Sequence, residues 1–195
     1  AAALMAVDEL WCTGVPGEKL LDAAAALGAD IPFALLGGTA LGTGRGEDLH
    51  PIEGVQRLHW VLVTNDGGLS TPTVYQRLDQ LRAERGEDPT QVGTPQAPSQ
   101  LLEALLTGDP HQVAQHLHND LQEAAVDLMP ELAQTMQAGL EAGAIAAMVS
   151  GSGPTVALLA QDLGHANKVA SKLTSIGHNA ISTFGPAAGT ILEAN

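Results

Sequence analysis

One acidic residue, Asp30, stands between a stretch of helical composition and a run dense in glycine. Residues 27–47 read LGADIPFALLGGTALGTGRGE. Gly28 suits a left-handed helix cap and Pro32 stops a helix, so we predict a helix that ends near Asp30 and a glycine-rich hairpin after it. A carboxylate held at such an exit can face a substrate, or it can serve only as a hydrogen-bond acceptor within a turn. Both interpretations stay open on these residues alone.

A second glycine-rich segment lies late in the chain. Residues 148–155 read MVSGSGPT and lie between two apolar stretches of strand composition. Gly151 and Gly153 let several backbone N–H groups point at one place, which is how many loops bind phosphate, and Ser152 adds a hydroxyl group. The segment is not a Walker loop because no lysine follows its glycines, and a tight hairpin explains the same residues equally well.

Three histidines, His111, His116 and His118, invite interpretation as a metal site. Their spacings do not place three imidazoles on one face of a helix, and no cysteine lies with them. We therefore predict that the chain holds no metal through these side chains. Asn119 and Asp120 follow directly and are interpreted as part of a polar helix face, unless that end of the helix points into a cleft.

The composition limits the classes of protein to which the chain can belong. Its 195 residues, 45% of them hydrophobic, suffice for one sizeable core or two small ones. A net charge of −14 makes nucleic acid and membrane surfaces poor partners, because phosphate binding relies on clustered Lys and Arg. The sequence contains neither an apolar run long enough to cross a bilayer nor a signal-peptide pattern. Its single cysteine, Cys12, favours the reducing cytoplasm.

Apolar periodicity predicts the elements that must position these residues. The predicted helices are 4–11, 18–27, 73–82, 99–106, 111–128, 130–142 and 162–176, and the predicted strands are 58–64, 144–149, 155–160 and 179–183. From residue 58 onward the order is strand, helices, strand, strand, helix, strand, which is the arrangement of a ferredoxin-like domain. Residues 84–99 are interpreted as a surface linker, and the chain from Gly185 onward as a loose tail.

This order suggests a division of the chain into parts. Residues 1–57 are predicted to belong to an N-terminal lobe, residues 58–185 to be a C-terminal domain, and residues 186–195 to be a tail. A cleft between two lobes is a usual place for a ligand. The chain begins inside an apolar helical pattern with no capping residue before it, so we expect further residues upstream of Ala1 in the complete protein.

Four segments together resemble the GHMP small-molecule kinase superfamily, and within it the family of 4-diphosphocytidyl-2-C-methylerythritol kinases. These segments are residues 27–47, GGLSTPTVY at 67–75, HND at 118–120 and MVSGSGPT at 148–155. The resemblance covers nearly the whole chain. It implies an α+β, two-lobed GHMP kinase fold, here with a truncated N-terminal lobe and a ferredoxin-like C-terminal domain. It also implies ATP and Mg²⁺ as cofactors and phosphorylation of a hydroxyl of the small molecule diphosphocytidyl methylerythritol, a step towards isoprenoid precursors.

The resemblance also implies roles for individual residues. Asp30 aligns with the family's catalytic aspartate, which orients the substrate hydroxyl and accepts its proton. Gly151, Ser152 and Gly153 match the third motif of the superfamily, whose backbone lies near the active site. The glycine-serine loop that grips ATP phosphates and an N-terminal catalytic lysine have no match in the chain. We therefore expect residues 1–195 alone to bind ATP poorly and to turn over little.

Two other functions stay open. A different GHMP kinase, acting on homoserine or mevalonate, would share the fold and the glycine-rich loop. A ferredoxin-like module that binds a small molecule without catalysis would share only the C-terminal topology. The sequence makes no prediction of oligomeric state.

Overall fold

The computed structural model describes residues 1–87 and 97–192. The chain divides into two compact units: unit 1 is Ala1–Val55 with Pro186–Asn195, and unit 2 is Gln56–Gly185. Most of the predicted linker at 84–99 lies outside the described residues. None of the helices in the described ranges combines the length and the apolar character that a bilayer crossing requires.

Groups of helices and groups of short strands follow one another along the chain. The helices are α1 (Ala2–Trp11), α2 (Gly17–Leu27), α3 (Ile31–Leu36), α4 (Thr71–Glu84), α5 (Ser99–Thr107), α6 (Pro110–His116), α7 (Gln122–Leu128), α8 (Glu131–Ala142) and α9 (Leu163–Ser175). The strands are β1 (Gly37–Gly38), β2 (Ala40–Thr43), β3 (Asp48–Pro51), β4 (Leu58–Thr64), β5 (Ala146–Val149), β6 (Val156–Ala160), β7 (Asn179–Gly185) and β8 (Ala187–Ala188).

Unit 2 is built on a four-stranded antiparallel sheet in the order β5-β6-β4-β7. Counted along the chain, its strands lie in the order second, third, first, fourth. Helices α4 to α8 connect the first strand to the second, and α9 connects the third to the fourth. This is the ferredoxin-like topology, so the predicted α+β class and ferredoxin-like domain are confirmed.

The two faces of this sheet are covered by different helices. Val61 and Val63 on β4 are fully buried and belong to the main core, to which α8 and α9 contribute. Leu58 lies on the opposite face because side chains alternate along a strand. It packs with Ala104 of α5 and Val113 of α6 in a smaller second core. Both faces therefore bury apolar side chains.

The predicted single helix over residues 111–128 is wrong. Helix α6 ends at His116 and α7 begins only at Gln122, so residues 117–121 are not helical. The side-chain oxygen of Asn119 accepts a hydrogen bond from the backbone N–H of Leu121 at 3.0 Å. Such a local side-chain bond offers the backbone an alternative to the helix, and here it accompanies the break.

In unit 1 the predicted helix end before Asp30 is confirmed at Leu27, but the roles predicted for Gly28 and Pro32 are wrong. Gly28 has φ 169°, an extended conformation open to any residue, so it is not a left-handed cap. Pro32 does not end a helix but lies in the first turn of α3, where a missing N–H breaks no helical bond. Asp30 is therefore the residue that precedes a short new helix.

The end of the described chain is paired and not loose. Strand β8 pairs with β1, and the N–H of Thr190 donates to the carbonyl oxygen of Ala34 at 3.0 Å. Gly37 has φ +68°, and a Cβ there would lie 1.9 Å from the backbone nitrogen of Gly189. Only glycine fits such a close approach of two backbones. The neighbouring hairpin of β2 and β3 agrees with the prediction.

Candidate active site

A tight loop, residues 150–154, connects β5 to β6 and is called the SGSGP loop below. The N–H of Ser150 donates to the carbonyl oxygen of Thr155 at 2.8 Å, and the N–H of Gly153 donates to that of Ser150 at 2.9 Å. Gly151 and Gly153 have φ +56° and +79°, in the left-handed region that favours glycine. The two glycines thus satisfy the geometry of the turn.

The outer side of the SGSGP loop presents unoccupied hydrogen-bond donors. Among the described residues, the backbone N–H groups of Gly151 and Ser152 donate no hydrogen bond. A Cβ added to Gly151 would meet no atom within 4 Å, so a ligand can approach the backbone here. Successive free N–H groups at such a turn are suitable donors to a phosphate or carboxylate.

The inner side of the loop is tightly packed. A Cβ added to Gly153 would lie 3.2 Å from Cγ1 of Val149 and 3.3 Å from Cδ1 of Leu69. Val149 is fully buried, and Leu69 packs against the main core. Gly153 therefore joins the loop to the core, whereas Gly151 faces open space.

Two side-chain amides hold the start of the loop. The side-chain nitrogen of Asn119 donates to the carbonyl oxygens of Val149 and Gly151, each at 2.8 Å. The side-chain oxygen of Gln122 accepts a hydrogen bond from the N–H of Val149 at 3.0 Å. The non-helical segment 117–121 and the first residue of α7 thus bind the last residue of β5 and the loop that follows it.

Further side chains hold the middle and the end of the loop. The side-chain nitrogen of Asn65 donates to the carbonyl oxygen of Pro154 at 2.7 Å. The side-chain oxygen of Asn65 accepts from the buried hydroxyl of Thr135 at 3.1 Å, which defines the orientation of the amide. The hydroxyl groups of Ser152 and Thr71, in the first turn of α4, lie 2.9 Å apart.

An ion-pair network joins the helices that carry Thr71 and Gln122. Arg77 of α4 donates through Nε to Asp127 of α7 at 2.6 Å and through Nη1 to Glu84 at 2.8 Å. Hydrogen bonds to Asp127 and then to Glu84 raise the pKa of Arg77 above its ordinary value. The network connects α4 to α7.

A cavity of about 550 Å³ lies beside the same segment of unit 2. Its lining includes Asn119 and several charged side chains from α4 and α7. Arg85 pairs with Glu123, and His118 lies 2.7 Å from Asp120. Within the cavity wall, Arg85 and Glu123 therefore form an ion pair, and Asp120 has a hydrogen-bond partner in His118.

Asp30 lies on the surface of unit 1 with its carboxylate available. Its side chain is exposed and makes no capping hydrogen bond, although its carbonyl oxygen accepts from the N–H of Ala34 at 3.2 Å. Within residues 1–87 and 97–192 no hydrogen bond or ion pair of this carboxylate occurs. An exposed carboxylate without a partner can bind a substrate hydroxyl. The catalytic role of Asp30 stays a prediction.

The predicted loop residues Gly151, Ser152 and Gly153 occur together in one turn, and their role towards ATP also stays a prediction. Sequence reasoning missed the side chains that hold this turn. Asn119, for example, was interpreted as part of a polar helix face. The sequence signal for Asn119 was its place in the HND segment that contributed to the family resemblance.

The described part of the chain contains no group of three or more His, Cys, Asp or Glu side chains arranged to hold a metal ion. Of the three histidines considered from the sequence, His111 and His116 lie on α6 and His118 lies beyond its end.

Comparison with known proteins identifies relatives over nearly the whole chain. A family model of the GHMP kinase C-terminal domain matches residues 101–179. A 4-diphosphocytidyl-2-C-methyl-D-erythritol kinase from Nocardia farcinica is 54% identical over 177 residues, which cover 91% of this chain and 56% of that protein. The chain spans about three fifths of the length of the relatives that it matches.

Solved structures of kinases have folds similar to that of this chain. A crystal structure of 4-(cytidine 5'-diphospho)-2C-methyl-D-erythritol kinase has a TM-score of 0.72 at 29% identity and covers 92% of this chain, which in turn covers 60% of that structure. A homoserine kinase from Cytophaga hutchinsonii has a TM-score of 0.67 at 19% identity, and the match covers 93% of this chain and 61% of the homoserine kinase chain. At this identity the match shows a shared fold alone.

The fold, the matched domain and the glycine-rich loop together define the class: residues 101–179 carry the C-terminal domain of the GHMP kinases, and the chain is similar to proteins of that superfamily along nearly its whole length. Within that superfamily, the proteins that it resembles most consistently in sequence bear the name 4-diphosphocytidyl-2-C-methyl-D-erythritol kinase.

Proposed function

We propose that the protein phosphorylates a hydroxyl of 4-diphosphocytidyl-2-C-methylerythritol with ATP. The observation that carries this proposal is the identity of 46–54% to kinases of that name along nearly the whole chain. Because the chain spans about three fifths of those relatives, we assign the activity to the extended protein, meaning residues 1–195 together with any residues that its gene encodes before Ala1. We expect residues 1–195 alone to show little turnover.

In this proposal Asp30 acts on the hydroxyl of the substrate. Its carboxylate accepts a hydrogen bond from that hydroxyl, orients its oxygen and receives its proton as the phosphoryl group is transferred. Support comes from its exposed carboxylate, which forms no internal hydrogen bond or ion pair within the described residues. A carboxylate already engaged in a cap would be a poorer base.

The SGSGP loop acts on the nucleotide. ATP supplies the phosphoryl group, and we propose that Mg²⁺ arrives bound to its phosphates, as this ion usually does. The free N–H groups of Gly151 and Ser152 would donate to phosphate oxygens in the open space above Gly151. Backbone donors suit a chain of net charge −14, because they attract an anion locally without a cluster of basic residues.

The test of Asp30 compares two aspartates in the extended protein. Asp30→Asn is expected to lower kcat about 10²- to 10⁴-fold, the usual contribution of a general base, with little change in substrate KM. Asp22→Asn, an exposed residue of α2, is the matched control and should leave kcat unchanged. Unchanged turnover of Asp30→Asn in a steady-state kinase assay would remove Asp30 from the mechanism.

The choice of substrate needs a separate measurement. Homoserine and mevalonate kinases share the fold, so each alcohol is offered to the extended protein with ATP and phosphate transfer is followed by ³¹P NMR. We expect transfer to the diphosphocytidyl substrate alone. No transfer to any of the three, with retained small-molecule binding, would favour a non-catalytic module.

Cytoplasmic location stays a prediction from cysteine usage.

A further inference from the structure

We infer that Asn119 and Gln122 are positioning residues that hold the SGSGP loop in its phosphate-binding conformation. Asn119 does so as a hydrogen-bond donor and Gln122 as an acceptor. The inference rests on the proposed function, since it gives these two side chains a purpose in ATP binding. Both side chains bond to the backbone of residues 149–151, and it is through this backbone that they would act on the nucleotide.

The orientation of the Asn119 amide follows from its partners. Its side-chain oxygen accepts from the N–H of Leu121 at 3.0 Å, so its nitrogen must face the carbonyl oxygens of Val149 and Gly151. One amide thereby connects the last residue of β5 to the residue where the chain reverses. The direction of the Gly151 carbonyl determines the plane of the next peptide, which carries the N–H of Ser152.

Gln122 and Asn119 together form hydrogen bonds with the backbone at the unpaired edge of β5. Strand β5 pairs with β6 on one side only. The N–H and the carbonyl of Val149 point away from β6 and bond to Gln122 and to Asn119. Val149 is fully buried, so either backbone group would be costly if left without a partner. The break between α6 and α7 brings the two amides to this edge.

The test uses two substitutions that each add one negative charge. Asn119→Asp keeps the acceptor towards Leu121 but loses both donated bonds and places oxygen against oxygen. Gln122→Glu keeps the acceptor towards Val149. We expect the first to be severe and the second mild, so a difference between them reports the loss of donors and not the added charge. Asp120→Asn, whose side chain contacts His118 instead of the loop, is the neighbouring control.

Two measurements separate this inference from the proposed function. Hydrogen–deuterium exchange of residues 148–155 in the chain 1–195 requires no activity, and Asn119→Asp should raise the exchange rate about tenfold or more. In the extended protein the same substitution should raise KM for ATP about tenfold while KM for the phosphoryl acceptor stays constant. Asp120→Asn should change each value less than about twofold, whereas Gln122→Glu, which keeps its accepted bond, should have a smaller effect than Asn119→Asp.

Each outcome decides a separate point. Unchanged exchange in Asn119→Asp, or equal effects of Asn119→Asp and Gln122→Glu, would overturn the inference and leave the proposed function standing. Faster exchange with an unchanged KM for ATP would show that the loop is held but does not bind phosphate, which overturns the positioning role. Circular dichroism checks folding, and Asn119→Ala, which removes the donors without adding charge, replaces Asn119→Asp if that variant does not fold.

Discussion

Gly151 and Gly153 lie two residues apart with similar left-handed backbones but in different surroundings. A side chain at Gly151 would extend into open space, whereas one at Gly153 would press on Val149 and Leu69. Glycine thus leaves space for a ligand at position 151, and at position 153 it lets the loop pack closely against the core. Conformational freedom is required at both, and small size is required for stability only at Gly153.

This difference predicts unequal costs of alanine at the two positions. Gly151→Ala should lower the free energy of unfolding by roughly 1–2 kcal/mol, the cost of a left-handed non-glycine residue. Gly153→Ala should cost roughly 1–3 kcal/mol more because of overpacking against Val149 and Leu69. Urea denaturation of both variants measures the difference. Equal midpoints and slopes would contradict the packing argument.

Asp8 provides a pH-dependent contact at the end of α1. Its carboxylate accepts hydrogen bonds from the Thr13 hydroxyl and from the N–H of Val15. Both bonds hold the pKa of Asp8 below its ordinary value, and the Thr13 bond has the larger effect. A lowered folded-state pKa means that this stabilisation is present above the ordinary pKa of 3.8 and is lost as pH falls through the folded value.

Thr13→Val should therefore raise the pKa of Asp8 towards its ordinary value, since it removes the larger of the two causes. The measurement is an NMR titration of the Asp8 carboxyl carbon in the unsubstituted protein and in the Thr13→Val variant. Thr43→Val, which removes a hydroxyl bonded to Asp48 instead, is the matched control. A titration of Asp8 unaffected by loss of the Thr13 hydroxyl would show that this bond is absent in solution.

Among the elements, α8 lies unusually close to β6. Gly139 is buried inside α8, and a Cβ there would lie 2.4 Å from Cδ2 and 2.7 Å from Cδ1 of Leu158. Leu158 is itself fully buried, so other atoms of the protein surround its side chain. The helix accepts the lower helix propensity of glycine because a larger residue would separate it from the sheet.

Gly139→Ala should therefore destabilise the protein although alanine is the better helix former. Overpacking of roughly 1–3 kcal/mol should exceed the gain of about 1 kcal/mol in propensity. Adding Leu158→Val should restore part of the loss by making space. Gly17→Ala at the start of α2, where a Cβ meets nothing within 4 Å, is the control and should not destabilise. Thermal unfolding ranks the four chains, and a stabilised Gly139→Ala variant would refute the close approach.

Element prediction succeeded where the signal was local and failed where partners were distant. Strand β4 is a short apolar run buried on both faces, and the periodicity of α9 reflects burial of one face; both elements were found. The break at 117–121 was missed because the residues there have no helix-breaking composition. The side chain of Asn119, which accepts from Leu121 and donates to Val149 and Gly151, accompanies this break, and two of these partners lie about thirty residues away.

At the scale of the whole molecule, the two units depend differently on the chain termini. Unit 2 is one continuous segment with its own core. Unit 1 includes residues from both ends, because β1 pairs with β8 and Ala34 accepts from Thr190. Loss of the C-terminal segment should therefore loosen unit 1 selectively.

Removal of residues 186–195 tests this dependence. Hydrogen–deuterium exchange should increase at residues 34–38, which lose their partners β8 and Thr190, and should stay unchanged at β4. Replacement of the exposed Ile191 and Leu192 alone is the control and should affect neither region. Faster exchange throughout β4 after the larger removal would show that the two units do not unfold independently.

The sequence by itself determined the α+β class, the ferredoxin-like strand order, the family resemblance and the two glycine-rich segments. These features depend on composition and short spacings, which the chain carries locally. Only the tertiary structure showed that Pro32 begins a helix, that β8 pairs with β1, and that Asn119 and Gln122 hold the SGSGP loop. A hydrogen-bonding side chain does not specify its partner, since that depends on which backbone groups folding leaves unpaired nearby.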